Sequence, residues 1–148
     1  MNPYVQKVCP VILRQQSEVS QILAFRHPLA GMQLIKGTLK PGERPDGDAL
    51  RELAKESGIH QATVVAKIGE LDFHDAEQHW NIFLCAPRIP FADEWTCFTA
   101  DGDGLDFGFF WHPLDKEPDA SWHPVYTRAL AMIRLWNGSR AHDGRARV

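Results

Sequence analysis

The sequence lacks any long apolar run and any strong excess of charge of one sign. Its start, MNPYVQKVCPVIL, has neither the apolar stretch nor the small-residue cleavage site of a signal peptide, so we expect no signal peptide and no membrane span. The net charge of −3 and the pI of about 6.1 argue against nonspecific binding to nucleic acid or to an anionic membrane. An anionic small ligand would therefore need a local cation or a bound metal ion.

Cysteine is also scarce. The three cysteines, Cys9, Cys85 and Cys97, are widely spaced and form no CxxC pair. Cys9 and Cys85 lie inside apolar runs, where a cysteine typically behaves as a small buried hydrophobic residue. This usage predicts a protein of the reducing cytoplasm.

The length of the chain fits a single domain. With 148 residues it is long enough to bury a core without disulfides or structural metals. We assign residues 1–138 to this domain, because no internal repeat or linker interrupts them. The tail 139–148, SRAHDGRARV, has almost no apolar residues and is predicted to be disordered.

Hydrophobic periodicity predicts a mixed α/β fold. Apolar, β-branched segments predict strands at 4–15, 20–27, 32–35, 62–73, 79–89 and 105–114, the first two forming a hairpin. Helical spacing predicts one helix at 48–57, capped by Asp46 or Asp48 and ended by Gly58, and another at 123–138, ended by Gly138. Residues 91–104 are predicted to be an irregular loop. This order of elements favours the mixed α/β class.

The first predicted helix carries two carboxylates on one face. Glu52 and Glu56 are four residues apart, and in water such a pair costs a helix roughly 0.2–0.5 kcal/mol. A divalent cation between them would make the pair favourable, since Mg²⁺ binds carboxylates while keeping waters or phosphates as further ligands. Lys55, three residues from Glu52, supports the other interpretation, a solvated salt bridge on a surface helix. The helix alone does not decide between the two.

The spacing around this helix is more specific. Gly37 is followed by five residues and Glu43, then by seven residues and Arg51, Glu52 and Leu53; Glu56, Gly58 and Ile59 complete the series. This segment closely resembles the Nudix box, G-x5-E-x7-R-E-U-x-E-E-x-G-U, in which U is a bulky aliphatic residue. One defined position differs, because Lys55 stands where the pattern has the first glutamate of the E-E pair.

The resemblance extends beyond the box. RHPLAGMQLIKGTLKPGE is similar to the usual entry into it, and WNIFLCAPR and FFWHPLD are similar to later core strands, so that residues 5–136 are covered. It implies an α/β/α sandwich, a mixed sheet between helices with the box as loop–helix–loop. It also implies Mg²⁺- or Mn²⁺-dependent hydrolysis of a pyrophosphate linkage in a nucleoside diphosphate joined to another group. A homodimer is left open.

The resemblance also assigns roles within the box. Glu52 and Glu56 match the metal ligands of the helix, and in some members the residue at Glu52 also acts as a base. Glu43 matches a loop glutamate that supports or joins the metal site. Arg51 matches an arginine that orients carboxylates through its planar guanidinium. Together, Glu52, Glu56 and Arg51 are the predicted catalytic residues.

The remaining box positions concern the backbone and the charge. Gly37 is expected to adopt a backbone conformation closed to other residues, and Gly58 to cap the helix. Lys55 adds a positive charge where the pattern has a negative one. Two outcomes follow: Glu52 and Glu56 still hold a metal while Lys55 points outward or meets a substrate phosphate, or the protein is a binding or regulatory module with weak or no turnover.

Outside the box, the sequence offers candidates for substrate binding. Lys36 and Arg26 lie near its entrance and are candidates for phosphate contacts, as is Lys55. Trp95, flanked by polar residues, is the candidate platform for stacking a nucleobase. They are candidates to bind the small, nucleotide-like substrate that the resemblance implies.

A late acidic residue is a further candidate. Among Asp93, Glu94, Asp101, Asp103 and Asp106, we favour Asp103 or Asp106 as an additional acid, because they lie nearest the strand that follows. His74 and His79 are interpreted as loop residues without a catalytic role.

Overall fold

A computed structural model of the protein describes residues 3–99 and 104–142, which form nine strands and two helices. The elements are β1 Val5–Val11, β2 Leu13–Gln16, β3 Val19–His27, β4 Gly31–Gln33, β5 Gly37–Thr38, α1 Pro45–Ser57, β6 Ala62–Phe73, β7 Gln78–Pro87, β8 Trp95–Thr99, β9 Leu105–Pro113 and α2 Val125–His142. In these residues no helix combines the length and apolar character that a bilayer crossing requires.

The mixed sheet has the order β5-β1-β7-β6. Strands β1 and β7 run parallel, whereas β5 pairs with β1 and β6 with β7 in antiparallel fashion. The predicted strands at 62–73 and 79–89 correspond to β6 and β7, which pair as a hairpin. Within the described residues β5 is an edge strand, and it is only two residues long.

The antiparallel sheet has the order β2-β3-β9-β8, and β4 also pairs with β3. The predicted first strand divides after Val11: its later part, β2, makes the predicted hairpin with β3, while β1 belongs to the mixed sheet. The predicted irregular loop at 91–104 is wrong in part, since 95–99 form β8 against β9. The polar residues of this segment are accommodated because a half-exposed strand alternates exposed and covered side chains.

Helix α1 packs between the two sheets. Ala49 and Leu53 are fully buried against β1, β3, β7 and β9. We call this cluster the α1 core; it comprises Val8, Ile12, Leu23, Phe25, Ile35, Ala49, Leu53, Ile59, Phe83, Cys85, Phe107 and Phe109. The helix begins at Pro45, three residues earlier than predicted, because proline suits the first helical position. Neither aspartate is its N-cap: Arg44 holds that position without a side-chain cap.

Helix α2 covers the opposite side. Leu130 and Ile133 are fully buried in a second cluster, which we call the α2 core and which includes Ile22, Ala24, Trp80, Ile82 and Leu84. The predicted helix end at Gly138 is wrong, because α2 continues to His142 and takes in the first residues of the predicted tail. Gly138 has open space around it and adopts helical geometry at a modest cost. Residues 143–148 lie outside the described part.

Both core clusters draw on the same strands. On β1, Val8 belongs to the α1 core and Cys9 to the α2 core, and on β3 Leu23 and Ala24 divide in the same way. Successive side chains of a strand point to opposite faces, so one strand serves two cores. The mixed α/β class predicted from the sequence is confirmed.

Candidate functional site

The candidate site is an acidic side of α1. Asp48, Glu52 and Glu56 follow one another at four-residue intervals and are only 2%, 4% and 9% exposed. Residues four apart share one side of a helix. Buried carboxylates are costly unless hydrogen bonds, a cation or a metal compensates them. Three of them along one buried side therefore indicate a purpose other than packing.

Arg51 links the first two carboxylates. Its Nε donates to Oδ1 of Asp48 at 3.1 Å and its Nη1 donates to Oε1 of Glu52 at 3.0 Å. Burial alone would raise the pKa of Asp48, but the hydrogen bonds from Arg51 and from the Lys40 N–H hold that pKa below its usual value. The contact between Arg51 and the helix carboxylates matches the role that the box resemblance implies.

Gly37 allows Glu52 to reach the edge of the mixed sheet. A Cβ atom placed on Gly37 would lie 2.1 Å from Cδ and 2.3 Å from Cγ of Glu52. Gly37 is therefore required by a close approach. The expectation of an unusual backbone conformation is wrong, because the φ of Gly37 lies outside the left-handed region; the missing side chain, and not the φ angle, explains the glycine.

Glu56 lies at the other end of this side of the helix. Its negative charge reaches Lys36 and Cys9, since it raises the pKa of both groups, although burial and Lys7 lower that of Lys36 overall. The helix ends one residue later, where Gly58 adopts the left-handed conformation with φ of 81° and donates its N–H to the carbonyl of Ala54 at 3.0 Å. The predicted cap at Gly58 is confirmed.

Glu43 stands apart from the helix carboxylates. It is exposed in the loop before α1, where a tight turn directs its N–H to the carbonyl of Lys40 at 3.1 Å. Among residues 3–99 and 104–142, no three His, Cys, Asp or Glu side chains lie close enough to enclose a metal ion. The structure therefore does not bring Glu43, Glu52 and Glu56 together as one ligand group, as the box resemblance implied.

Lys55 is exposed, unlike the carboxylates on either side of it. It lies in the last turn of α1, where a positive charge suits the negative end of the helix dipole. Its position agrees with the first of the two outcomes weighed from the sequence, in which the lysine points outward. Contact with a substrate phosphate stays a prediction.

Lys36 is held by aromatic rings. Its Nζ lies 4.6 Å from the ring centre of Trp80 and 5.8 Å from that of Tyr126. Burial is the main reason that its pKa is lowered, and the nearby positive charge of Lys7 adds to it. Lys36 therefore lies directly before Gly37 with a fixed ammonium group, close enough to sense Glu56.

Arg26 and Trp95 lie in the antiparallel sheet. The guanidinium of Arg26 lies 4.5 Å from the ring centre of Phe110 and is exposed. Trp95 stacks on Phe109 with ring centres 5.2 Å apart, and its indole N–H donates to the carbonyl of Ser57 at 3.0 Å. Trp95 lines a cavity of about 400 Å³ beyond the end of α1. Its role as a platform for a nucleobase stays a prediction.

The late acids are only partly described. Asp101 and Asp103 lie outside the described residues. Asp106 is exposed on β9, opposite Phe98, and Asp93 forms an ion pair with Arg14 at 2.8 Å. The role of Asp103 or Asp106 as an additional acid therefore stays a prediction.

Sequence reasoning missed two neighbours of the site. Asp48, considered only as a helix cap, is a buried member of the acidic side; its place four residues before Glu52 was the available signal. Lys7, on β1, lies opposite Thr38 of β5, and its Nζ donates to Oγ1 of Thr38 at 2.7 Å. No sequence signal links residue 7 to the box, because their proximity depends on strand register.

No family model matches the sequence, and comparison with curated proteins finds no relative. Solved structures do match. A C. elegans Ap4A hydrolase in a binary complex has a TM-score of 0.65 at 16% identity, covering 91% of this chain and 98% of that one. A Nudix hydrolase from M. smegmatis has a TM-score of 0.64 at 15% identity, covering 91% and 87%. An ADP-ribose pyrophosphatase from Streptococcus suis has a TM-score of 0.57 at 14% identity, covering 88% and 91%.

The similarity extends along nearly the whole chain. These neighbours are Nudix hydrolases, and the two sheets with two helices described above match their architecture. The chain therefore has the Nudix fold. At these identities the comparison defines the fold alone, and the argument for an activity depends on the site.

Proposed function

We propose that the protein is a metal-dependent hydrolase that cleaves a pyrophosphate linkage in a nucleotide-like substrate. The observation that carries the proposal is the buried pair Glu52 and Glu56, with Glu52 seated against Gly37, within box spacing and in a Nudix fold. Burial of two carboxylates on one side of a helix is costly without compensating charge, and Arg51 already gives part of that charge to Glu52. A divalent cation supplies such a charge.

The side chains present fit a magnesium or manganese ion. Mg²⁺ usually takes one or two protein carboxylates and completes its octahedron with waters and substrate phosphates, so a third protein ligand is unnecessary. Glu52 and Glu56 would hold the ion, and Glu43 is available from the loop. A bound metal would supply charge to neutralise the pyrophosphate and would lower the pKa of a coordinated water.

The protein groups then position the reactants. Arg51 fixes the carboxylate of Glu52 through the hydrogen bond at 3.0 Å, which keeps it oriented between turnovers. Glu52 is also placed to accept a proton from the attacking water, the role that its position has in some proteins with this box. Lys36 supplies a fixed positive charge beside the site, which favours a phosphate there.

The substrate class follows the solved neighbours. Their names specify Ap4A, a dinucleotide, and ADP-ribose, a nucleoside diphosphate joined to a sugar. Both contain a pyrophosphate attached to a nucleoside, and we propose the same general class here. The free thiols Cys9, Cys85 and Cys97 support a cytoplasmic location.

Lys55 favours a second candidate function. It replaces a carboxylate of the box, and no group of three metal-ligating side chains occurs in the part of the chain that the structure describes. A Nudix-fold module that binds a nucleotide with little or no turnover would have these features. The exposed position of Lys55 and the intact Glu52, Glu56 and Arg51 favour the hydrolase.

A hydrolysis screen, in which the nucleotide products are separated by ion-exchange chromatography, distinguishes the two functions. Dinucleoside polyphosphates, ADP-sugars and nucleoside triphosphates are incubated with wild type, Glu56→Gln and Lys55→Glu in Mg²⁺ and in Mn²⁺, and metal binding is measured by calorimetry. We expect hydrolysis of at least one class by wild type. Glu56→Gln should lose at least about tenfold in metal affinity, since it removes the charge of one of two ligands.

The outcomes are distinct. No hydrolysis of any substrate in either metal, with nucleotide binding retained, would establish the module and overturn the hydrolase. Metal binding that is absent in wild type and unchanged in Glu56→Gln would overturn the metal assignment. Faster hydrolysis by Lys55→Glu would show that the lysine weakens an otherwise complete site.

A further inference from the structure

A second set of polar side chains lies across β5 from Glu52. Lys7 on β1 is opposite Thr38 on β5, Val8 is opposite Gly37, and Lys36 directly precedes β5 in the chain. Because side chains alternate between the faces of a sheet, Lys7 and Thr38 project from one face, and Glu52 contacts Gly37 on the other. Lys36 lies with Lys7, because its ammonium rests on the ring of Trp80, the residue that pairs with Lys7 on β7.

In the described residues neither of the two lysines forms an ion pair with a carboxylate, although the charge of Glu56 reaches Lys36. Within the described residues, no Asp or Glu oxygen lies within the 4.0 Å of an ion pair from Lys7 or Lys36. Other half-buried cations of the chain, Arg51 and Arg134 among them, do have carboxylate partners. The contrast sets this pair of lysines apart.

Their surroundings hold the charges in place. Lys7 donates to the hydroxyl of Thr38 at 2.7 Å, and the ammonium of Lys36 rests on the rings of Trp80 and Tyr126. Burial is the main cause of the lowered pKa of Lys36, and the positive charge of Lys7 adds to it, as expected for neighbouring cations. Like charges brought together on a rigid sheet edge are stabilised by an anion that contacts both.

We propose that Lys7, Thr38 and Lys36 form a phosphate-binding subsite. This subsite binds the substrate phosphate that is not held at Glu52 and Glu56. The assignment to a substrate phosphate rests on the proposed function. Lys7 and Thr38 are then specificity-determining residues for substrates with at least two linked phosphates. The Thr38 hydroxyl, already bonded to Lys7, adds a donor or an acceptor at the same point.

The carboxylates of α1 and the two lysines are both close to the edge strand β5. Gly37 separates Lys36 from Thr38 in the chain, and in the described residues β5 is the outermost strand of the mixed sheet. A chain of linked phosphates can therefore pass around a strand of two residues that bears no side chain at Gly37. One phosphate then faces the carboxylates of α1, and the next faces the lysines.

Calorimetry with inorganic pyrophosphate in EDTA tests the subsite without metal or turnover. Wild type is compared with Lys7→Gln, Lys7→Arg and the control Lys116→Gln, which removes the same charge from an exposed position before α2. We expect Lys7→Gln to weaken pyrophosphate binding about tenfold, since a charged hydrogen bond is lost. Lys7→Arg should keep most of the affinity, and Lys116→Gln all of it.

Equal affinity of wild type and Lys7→Gln for pyrophosphate would overturn the subsite, as would an absence of binding by wild type at millimolar concentration. A second arm adds ADP to the pyrophosphate complex. Displacement shows that the subsite belongs to the nucleotide site, whereas simultaneous binding of both ligands shows that it serves free phosphate and overturns the assignment to substrate.

Failure of this proposal and failure of the hydrolase are distinguishable. If the protein shows no turnover but still binds pyrophosphate in a way that depends on Lys7, the hydrolase proposal is wrong and the subsite proposal stands. If wild type shows turnover, and Lys7→Gln changes neither KM nor the affinity for pyrophosphate, only the subsite proposal is wrong. If both proposals hold, Lys7→Gln raises KM about tenfold and changes kcat much less.

Discussion

At the scale of single residues, Gly37 and Glu52 act as one unit. The carboxylate of Glu52 occupies the space that any side chain at residue 37 would fill, and Arg51 holds it there. The fixed sequence spacing between this glycine and this glutamate therefore has a direct steric explanation. The pair places a carboxylate at a sheet edge that a ligand can reach.

Replacement of Gly37 by alanine tests whether Gly37 and Glu52 act together. In Gly37→Ala the new methyl group must displace the side chain of Glu52, so we expect affinity for Mg²⁺ or Mn²⁺ to fall about tenfold. The free energy of unfolding should fall by less than about 2 kcal/mol, because a side chain and not backbone has to move. Calorimetry and urea unfolding measure the two effects.

Gly47→Ala is the matched control. Gly47 lies within α1 with open space where its Cβ would be, so alanine should stabilise the protein by about 0.5–1 kcal/mol and leave metal affinity unchanged. Equal metal affinities of Gly37→Ala and Gly47→Ala would contradict the role given to Gly37.

The residues of the site were predictable only where local spacing governs them. Glu52 and Glu56 are four apart on a helix, which places them on one side of it before any fold is known. Lys7 was not predictable, because its proximity to Lys36 depends on the antiparallel register of β1 and β5. The position of Glu43 was not predictable either, since the spacing of residues within a loop does not determine where the turn directs a side chain.

At the scale of elements, the β6–β7 hairpin contains a histidine between two acids. The interpretation of His79 as a loop residue is wrong, because it lies on β7, where its Nδ1 is 2.6 Å from Asp72 and its Nε2 is 2.6 Å from Glu70 of β6. Burial alone would lower the pKa of His79, but the two carboxylates outweigh burial and raise it above the ordinary value of 6.5. The imidazole thus bridges the two strands, and its protonated form is the one that both carboxylates favour.

This bridge predicts a pH-dependent stability. Because the folded pKa of His79 is raised, its contribution to stability is fully present below the unfolded value of about 6.5 and is lost as pH rises through the folded value. Urea unfolding of wild type and His79→Gln between pH 5.5 and 9 should show the larger difference at low pH. Since both acids are partly exposed to solvent, we expect the difference to change by less than about 1 kcal/mol.

The other titrating groups contribute equally to the unfolding free energies of wild type and His79→Gln, so their contributions cancel in the difference between the two. His79→Gln keeps a polar side chain of similar reach on β7, so the contribution that remains is that of the charge. A difference in unfolding free energy that is constant over this pH range, or that grows toward high pH, would contradict the bridge.

Element boundaries were predictable where a residue dictates the backbone. Gly58 ends α1 because its left-handed conformation suits glycine, and that end was correctly predicted. Strand β8 was missed, because its acidic and glycine-rich surroundings resemble a loop and only pairing with β9 makes it a strand. Pro45 was likewise overlooked as a helix start, since the segment is rich in turn residues.

At the scale of the whole molecule, the two cores are coupled by the strands that they share. Helices α1 and α2 lie on opposite sides, yet β1 and β3 contribute side chains to both cores. The sequence predicts a single domain over 1–138, and the shared strands give a physical reason to expect one cooperative unit. A chain of this size commonly unfolds in a single transition.

Truncation in each core tests the cooperativity. Leu53→Ala in the α1 core and Leu130→Ala in the α2 core each remove a fully buried side chain, so each should lower the free energy of unfolding by about 2–5 kcal/mol. Leu135→Ala is the control on α2, because Leu135 is 77% exposed, and it should change stability by less than about 0.5 kcal/mol. Urea unfolding followed by circular dichroism and by tryptophan fluorescence measures all three.

Coincident transitions by both probes, with one m-value shared by wild type and the three variants, are the expected result. Loss of either core would then unfold the other, because β1 and β3 cannot keep one face packed while the opposite face is exposed to water. Separate transitions, with Leu130→Ala destabilising only one of them, would show that the cores fold independently and that the carboxylates of α1 do not depend on α2 for their position.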